Sequence, residues 1–185
     1  MRAAVLTIST SVARGQADDR SGQLLAEALV AAGGEVVARE VVPDDRGQIE
    51  VALRAQVAAG VELILTTGGT GLTPDDVTPE ATRAVIERDA PGFAEALRAE
   101  SLRRTPLGML SRGVAGIAGR SLIVNLPGSP RAVQELFAVL APTLPHVSAL
   151  LQREPGPGDH TEEHRIDEPE PSDRGEQHRI DEPRG

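Results

Sequence analysis

An α/β domain, three-layered with a mainly parallel sheet, helices on both faces and an antiparallel hairpin at one edge, is the fold class this sequence predicts. Three observations lead there. Short apolar runs of strand length at residues 2–9, 35–42, 61–66 and 120–126 alternate with stretches of helical periodicity, the pattern that builds parallel sheets through right-handed crossovers. The apolar 39% comes almost wholly from Leu, Val, Ile and Ala, with two Phe and neither Trp nor Tyr, so the core is aliphatic. The chain of 185 residues is long enough for one such domain and too short for two of ordinary size.

The elements follow in order. Residues 2–9 form a buried strand, and a polar loop runs through Arg20. In residues 21–32, Leu24, Leu25, Ala28, Leu29 and Ala32 share one helical face, with Gly33 and Gly34 as a stop. The Val-rich run 35–42 is a second strand. The turn PDDRG at 43–47 can cap the next helix, where Ile49, Leu53 and Val57 recur at i, i+4 and i+8 up to Gly60. The third strand, 61–66, ends in a glycine loop. Beyond it Thr78-Pro79 reads as an N-cap with proline in first helical position, leading a helix over 80–88. Residues 91–104 carry Phe93 and Leu97 at helical spacing, and the glycine-punctuated stretch 113–119 facing strand 120–126 predicts the edge hairpin. Residues 130–151 are helical, with breaks expected at Pro142 and Pro145.

From Glu154 the composition changes to Pro, Gly, Glu, Asp and His. Of the 28 acidic residues 11 lie there, with 4 of the 19 arginines, so the segment carries −7 of the net −9. HRIDEP occurs at 164–169 and again at 178–183, a repeat too short and polar to bury a core. The expected organisation is one domain over 1–153 and a disordered acidic tail over 154–185.

Several chemistries are excluded by composition. Without cysteine there is no disulfide, thiolate zinc site or thiol nucleophile, which fits a reducing cytoplasm. All 19 basic residues are Arg, so a Walker lysine and Schiff-base chemistry are absent. The acidic balance and lack of stacking aromatics argue against nucleic acid as a partner. The N-terminal run has no signal-peptide cleavage pattern, and no segment approaches membrane-spanning length.

Ligands of open α/β sheets collect at the carboxyl ends of the strands, where two loops here are unusual. The first is TTGGTGLTPDDVTPEAT at 66–82; the second is NLPGSP at 125–130. Gly68, Gly69 and Gly71 let backbone N–H groups converge on an anion, and Thr67 and Thr70 add hydroxyls. The dinucleotide fingerprint fails, because Pro74 stands where its third glycine belongs. Asp75 and Asp76 follow the glycines and Asp44 ends another strand; acids beside a phosphate site suit a divalent cation such as Mg²⁺, and so phosphoryl or nucleotidyl transfer. Helix capping is the competing role for Asp44 and Asp76.

These residues together resemble the molybdenum cofactor biosynthesis proteins of the MogA and MoaB type, also seen in the G domain of gephyrin-like proteins. The similarity spans roughly residues 2–152. It rests on the runs at 66–82 and 125–130, the acidic turn VPDD at 42–45, and weaker matches at DRSG (19–22) and LSR (110–112). The resemblance implies adenylation of molybdopterin by ATP with release of pyrophosphate and a requirement for Mg²⁺. It makes Asp44 and Asp76 the catalytic, metal-holding aspartates. It makes Thr67, Gly68, Gly69, Thr70 and Gly71 the phosphate loop, with Ser111, Asn125, Pro127, Gly128 and Ser129 as further ligand contacts. It also implies a homotrimer or homohexamer. Two positions depart from the family pattern: Thr10 replaces a frequent Asp, and Asp75 a frequent Arg. A carrier that binds the pterin without adenylating it, a CinA-type nucleotide enzyme and an oligomeric scaffold are the rival readings.

Overall fold

The computed structural model describes residues 1–153; the acidic repeat segment lies outside the described residues. Six strands form one sheet in the order β2-β1-β3-β6-β5-β4. β1 (Arg2–Ile8), β2 (Glu35–Val42), β3 (Leu63–Thr67) and β6 (Ser121–Leu126) are mutually parallel. β5 (Ala115–Ala118) runs antiparallel to β6, and β4 (Arg88–Asp89) antiparallel to β5, so the expected edge hairpin is present with one further short strand beyond it.

Parallel strands covered on both faces must be apolar throughout, and their alternating side chains divide between two cores. Ala3, Val5, Leu63, Leu65, Leu122, Val124 and Leu126 face α2 (Arg20–Ala31), α5 (Pro91–Arg104), α6 (Pro130–Leu140) and α7 (Leu144–Gln152). Ala4, Leu6, Ile8, Ile64 and Ile123 face α3 (Arg46–Ala58) and α4 (Thr78–Arg83). The chain leaves β1 through α2 on one face and returns from β2 through α3 on the other. This puts the reversal of strand order between β1 and β3, beside the glycine loop.

Three expectations need correction. The loop after β1 contains a one-turn helix, α1 (Thr10–Ala13), because Ser9 Oγ accepts from Val12 N–H and caps it. Thr78 is not an N-cap: it is the first residue of α4, and its hydroxyl donates to Gly68 O at 3.0 Å. That helix ends at Arg83 rather than Arg88, because Glu87 N–H bonds Ile117 O and Arg88 pairs with Ile117 in the sheet. Of the two breaks expected in the last helix, the one at Pro142 occurs as a 3-10 turn at Ala141–Thr143, whereas Pro145 stands in the first turn of α7, where proline is tolerated. Among the described residues no helix is long and apolar enough to cross a membrane.

Candidate functional site

The two loops predicted from sequence meet at the carboxyl ends of β3 and β6. Gly68 and Gly69 have φ of +102° and +61°, and a Cβ on Gly68 would stand 2.3 Å from Ile8 O, so no other residue fits there. Gly68 N–H donates to Leu126 O at 3.1 Å and Thr67 Oγ1 to Pro127 O at 2.9 Å, which stitches the loops together.

Every carbonyl of the glycine loop is engaged by a protein donor. Gly68 O accepts from the Thr78 hydroxyl and Gly69 O from Thr78 N–H at 3.1 Å; Thr70 O accepts from Arg112 N–H at 2.9 Å and Gly71 O from Arg112 Nε at 2.7 Å. Among the described residues the amides of Gly69 and Thr70 donate to no protein acceptor. With all four acceptors turned inward, the loop offers a ligand its electropositive N–H edge.

Arg112 is the organising side chain. Besides Gly71 it bonds the backbone carbonyl of Asp76 and the carboxylate of Glu80, tying loop and α4 into one unit. Burial pushes the Glu80 carboxyl upward, but the bond and charge of Arg112 outweigh it and hold the group below its ordinary value. The sequence placed Arg112 within a short family match without giving it a role, because a lone arginine carries no sign of what it will touch.

A cavity of about 520 Å³ opens in front of the loop, between α5, the 3-10 turn Pro106–Leu110, β6 and the start of α6. Gly68, Gly69, Thr70, Gly71 and Asp76 form one side, and Ser111, Asn125, Pro127, Gly128 and Ser129 also line it. Its remaining wall is mainly apolar, with Ala94, Leu97, Leu107, Leu110 and Leu136. Such a cavity suits a ligand with an apolar part and an anionic end.

Asp76 is the only carboxylate on this wall. Its Oδ2 accepts from the Thr73 hydroxyl at 2.6 Å and Thr73 N–H at 2.9 Å. Burial acts to raise its pKa, yet these bonds, Gly71 N–H and the Arg112 charge lower it overall, so the group is anionic at neutral pH. Asp75 is exposed and does not line the cavity, so its charge is not set against a ligand held there.

Other sequence-selected residues are placed differently. Asp44 does not line the cavity: its Oδ2 accepts from Thr10 N–H at 2.7 Å while its own N–H donates to Thr10 Oγ1 at 3.0 Å. The cap of α3 is Asp45, which accepts from Gln48 N–H at 2.8 Å. Thr67 is buried, its hydroxyl spent on Pro127 O, and it too is absent from the lining. Asn125 touches the cavity but donates to Thr66 Oγ1 at 3.0 Å and Thr82 Oγ1 at 2.9 Å and accepts from Val114 N–H at 3.2 Å. It is a buried junction of β3, α4 and the edge hairpin. Ser129 is exposed and caps α6 through Ala132 N–H, and Ser111 Oγ accepts from Gly113 N–H. The match DRSG is structural: Asp19 caps α2 and pairs with Arg39 at 2.9 Å.

Residues 4–146 match the model of a family described as "Probable molybdopterin binding domain". The chain belongs to this family. Among similar proteins is a molybdopterin adenylyltransferase of Helicobacter pylori, 37% identical over 80% of this chain and 85% of its own length. Another is the molybdenum cofactor synthesis protein cinnamon of Drosophila melanogaster, 41% identical over 80% of this chain. The chain spans 25% of the length of that fly protein and 47% of a bifunctional cofactor biosynthesis protein of Synechococcus elongatus. Among solved structures, the molybdopterin biosynthesis enzyme MoaB of Thermus thermophilus superposes with a TM-score of 0.78 at 46% identity, covering 83% of this chain and 98% of its own. Membership in the molybdopterin-binding family fits a cavity that pairs an apolar wall with a loop presenting free backbone N–H groups.

Proposed function

We propose that this chain acts in molybdenum cofactor biosynthesis as a molybdopterin adenylyltransferase. The observation that carries the reading is the glycine loop, whose four carbonyls are all engaged while the amides of Gly69 and Thr70 stay free beside an ionised Asp76. The likeness to the Helicobacter adenylyltransferase over most of both chains supports it. In the proposed reaction a terminal phosphate oxygen of molybdopterin bonds to the α-phosphorus of ATP, the bond from that phosphorus to the bridging oxygen breaks, and pyrophosphate leaves in line. The attacking phosphate is already an anion, so no general base is required.

The loop amides hold and orient phosphate oxygens, and the apolar wall receives the flat ring system. Among the described residues no group of three or more His, Cys, Asp or Glu could cage a metal by itself. That suits Mg²⁺, which is commonly held by one or two carboxylates plus substrate phosphates, and Asp76 would hold it here. Bound there, the ion would neutralise charge developing on the phosphates. Asp44 lies outside the cavity wall with Oδ2 bonded to Thr10 N–H, and would join the ion through its other carboxylate oxygen.

Asp44's position favours one second reading, a carrier that binds molybdopterin without adenylating it. Incubation of the protein with molybdopterin and Mg-ATP separates the two. Adenylylated pterin and stoichiometric pyrophosphate are expected from the wild type, with a loss of about 100-fold or more in Asp76→Asn. Tight pterin binding with no pyrophosphate released would select the carrier.

A further inference from the structure

We infer that Arg98 is the cavity's anion-binding cation, gripping a ligand phosphate from the α5 wall. This deepens the proposed function and rests on it for the identity of the phosphate. The argument is one of charge. Only two of the residues lining the cavity are formally charged, Asp76 and Arg98, so without Arg98 a phosphate ligand would meet a net negative site. Lysine is absent from the chain, which leaves arginine as the only permanently cationic side chain available.

The other guanidinium groups near the cavity are already paired: Arg104 with Glu100 and Arg131 with Glu135 on the adjoining surface, and Arg112 with the glycine loop and Glu80. Arg112 spends Nε and both terminal nitrogens on Gly71, Glu80 and Asp76. Arg98 is bound through Nη1 alone, to Gly113 O at 2.8 Å, and pairs with no carboxylate among the described residues. A guanidinium has five donors in a planar fork that matches phosphate oxygens two at a time, so most of its capacity is unspent. Its place on the cavity face follows from helical spacing: Ala94, Arg98 and Ser101 lie at i−4, i and i+3 on α5, and all three line the same wall. The bond to Gly113 fixes the fork rather than consuming it, so less side-chain entropy is lost on binding.

The test uses the full chain and inorganic pyrophosphate with excess Mg²⁺, followed by calorimetric titration. Arg98→Gln should bind about 10- to 100-fold more weakly than wild type, the effect of losing a charged donor, and its affinity should depend less on salt. Arg98→Lys, which keeps the charge and loses the fork, should fall between the two. Arg46→Gln, on the surface of α3, should bind as wild type does. Parallel titrations with ATP and with molybdopterin identify whose phosphate is held, by which affinity falls. Affinity of Arg98→Gln within threefold of wild type, or equal losses in the Gln and Lys variants, overturns the inference, the second because it would mean that only the Gly113 anchor matters. A wild-type chain that binds no pyrophosphate overturns it too. Turnover is not needed for these titrations. A protein that binds through Arg98 without adenylating keeps this inference and loses the adenylation reading, and adenylation with unchanged binding in Arg98→Gln does the reverse.

Discussion

Replacing Arg112 by Ala should loosen the glycine loop more than any other single change outside the loop itself. The substitution strips donors from Gly71 O and Asp76 O and leaves Glu80 only the more distant Arg83, at 4.0 Å, as counter-charge. A hydrogen bond from a charged donor contributes about 1.5–3 kcal/mol, and a carboxylate that loses its nearer partner adds to the loss. The two side chains are 34% and 36% exposed, so water recovers part of this, and the discounted total is about 2–4 kcal/mol. At about 2–4 °C per kcal/mol for a domain of this size, the melting temperature should fall by about 5–15 °C in far-UV circular dichroism at fixed protein concentration. The carboxyl of Glu80 is held below its ordinary value of 4.5 in the folded chain. Its contribution is therefore complete above that value and lost as pH falls through the lower folded value. The gap between wild type and variant should accordingly be full at pH 7 and narrower at about pH 3.5. A melting temperature within about 2 °C of wild type at pH 7, or a gap as wide in acid as at neutrality, would refute the clamp.

Three further substitutions probe the frame around the site. In Gly22→Ala the new Cβ would stand 2.1 Å from Thr7 Oγ1 and 2.5 Å from Asp19 Oδ2, so destabilisation of about 3 kcal/mol is expected by chemical denaturation. Asn125→Ala leaves Thr66, Thr82 and Val114 N–H without their buried partner, and a loss of about 2–4 kcal/mol is expected in the same assay. Asp76→Asn keeps an acceptor for Thr73, so it should melt close to wild type while losing turnover; a large fall in stability would make Asp76 a structural residue.

The frame was largely legible because its signals are local. The Val-rich run gave β2 its observed bounds, and Pro91 with the Phe93 and Leu97 spacing gave α5 its own. Glycines at 68, 69 and 71 announced a loop that only a backbone without Cβ could make. What stayed hidden depends on distant partners. Arg88–Asp89 has no strand-like composition and becomes β4 only through pairing with Ile117 and Gly116. Thr78 looked like a helix cap because Thr-Pro so often is one, yet Gly68 O captured its hydroxyl from ten residues away. Asn125, Thr67 and Asp44 carried the right chemistry for a site, but their polar atoms meet protein groups that no spacing rule reveals. Arg112 stood in a short family match that gave it no role, and nothing in the sequence singled out Arg98, because what an arginine touches depends on distant partners.

Adenylation itself tests the account most directly. Purified chain, molybdopterin, ATP and Mg²⁺ are combined, and pyrophosphate and AMP-linked pterin are measured together over time. Equal amounts of both products are predicted, abolished by chelation of Mg²⁺ and by Asp76→Asn. Molybdopterin that binds but is recovered unmodified, with no pyrophosphate above a protein-free control, would contradict it.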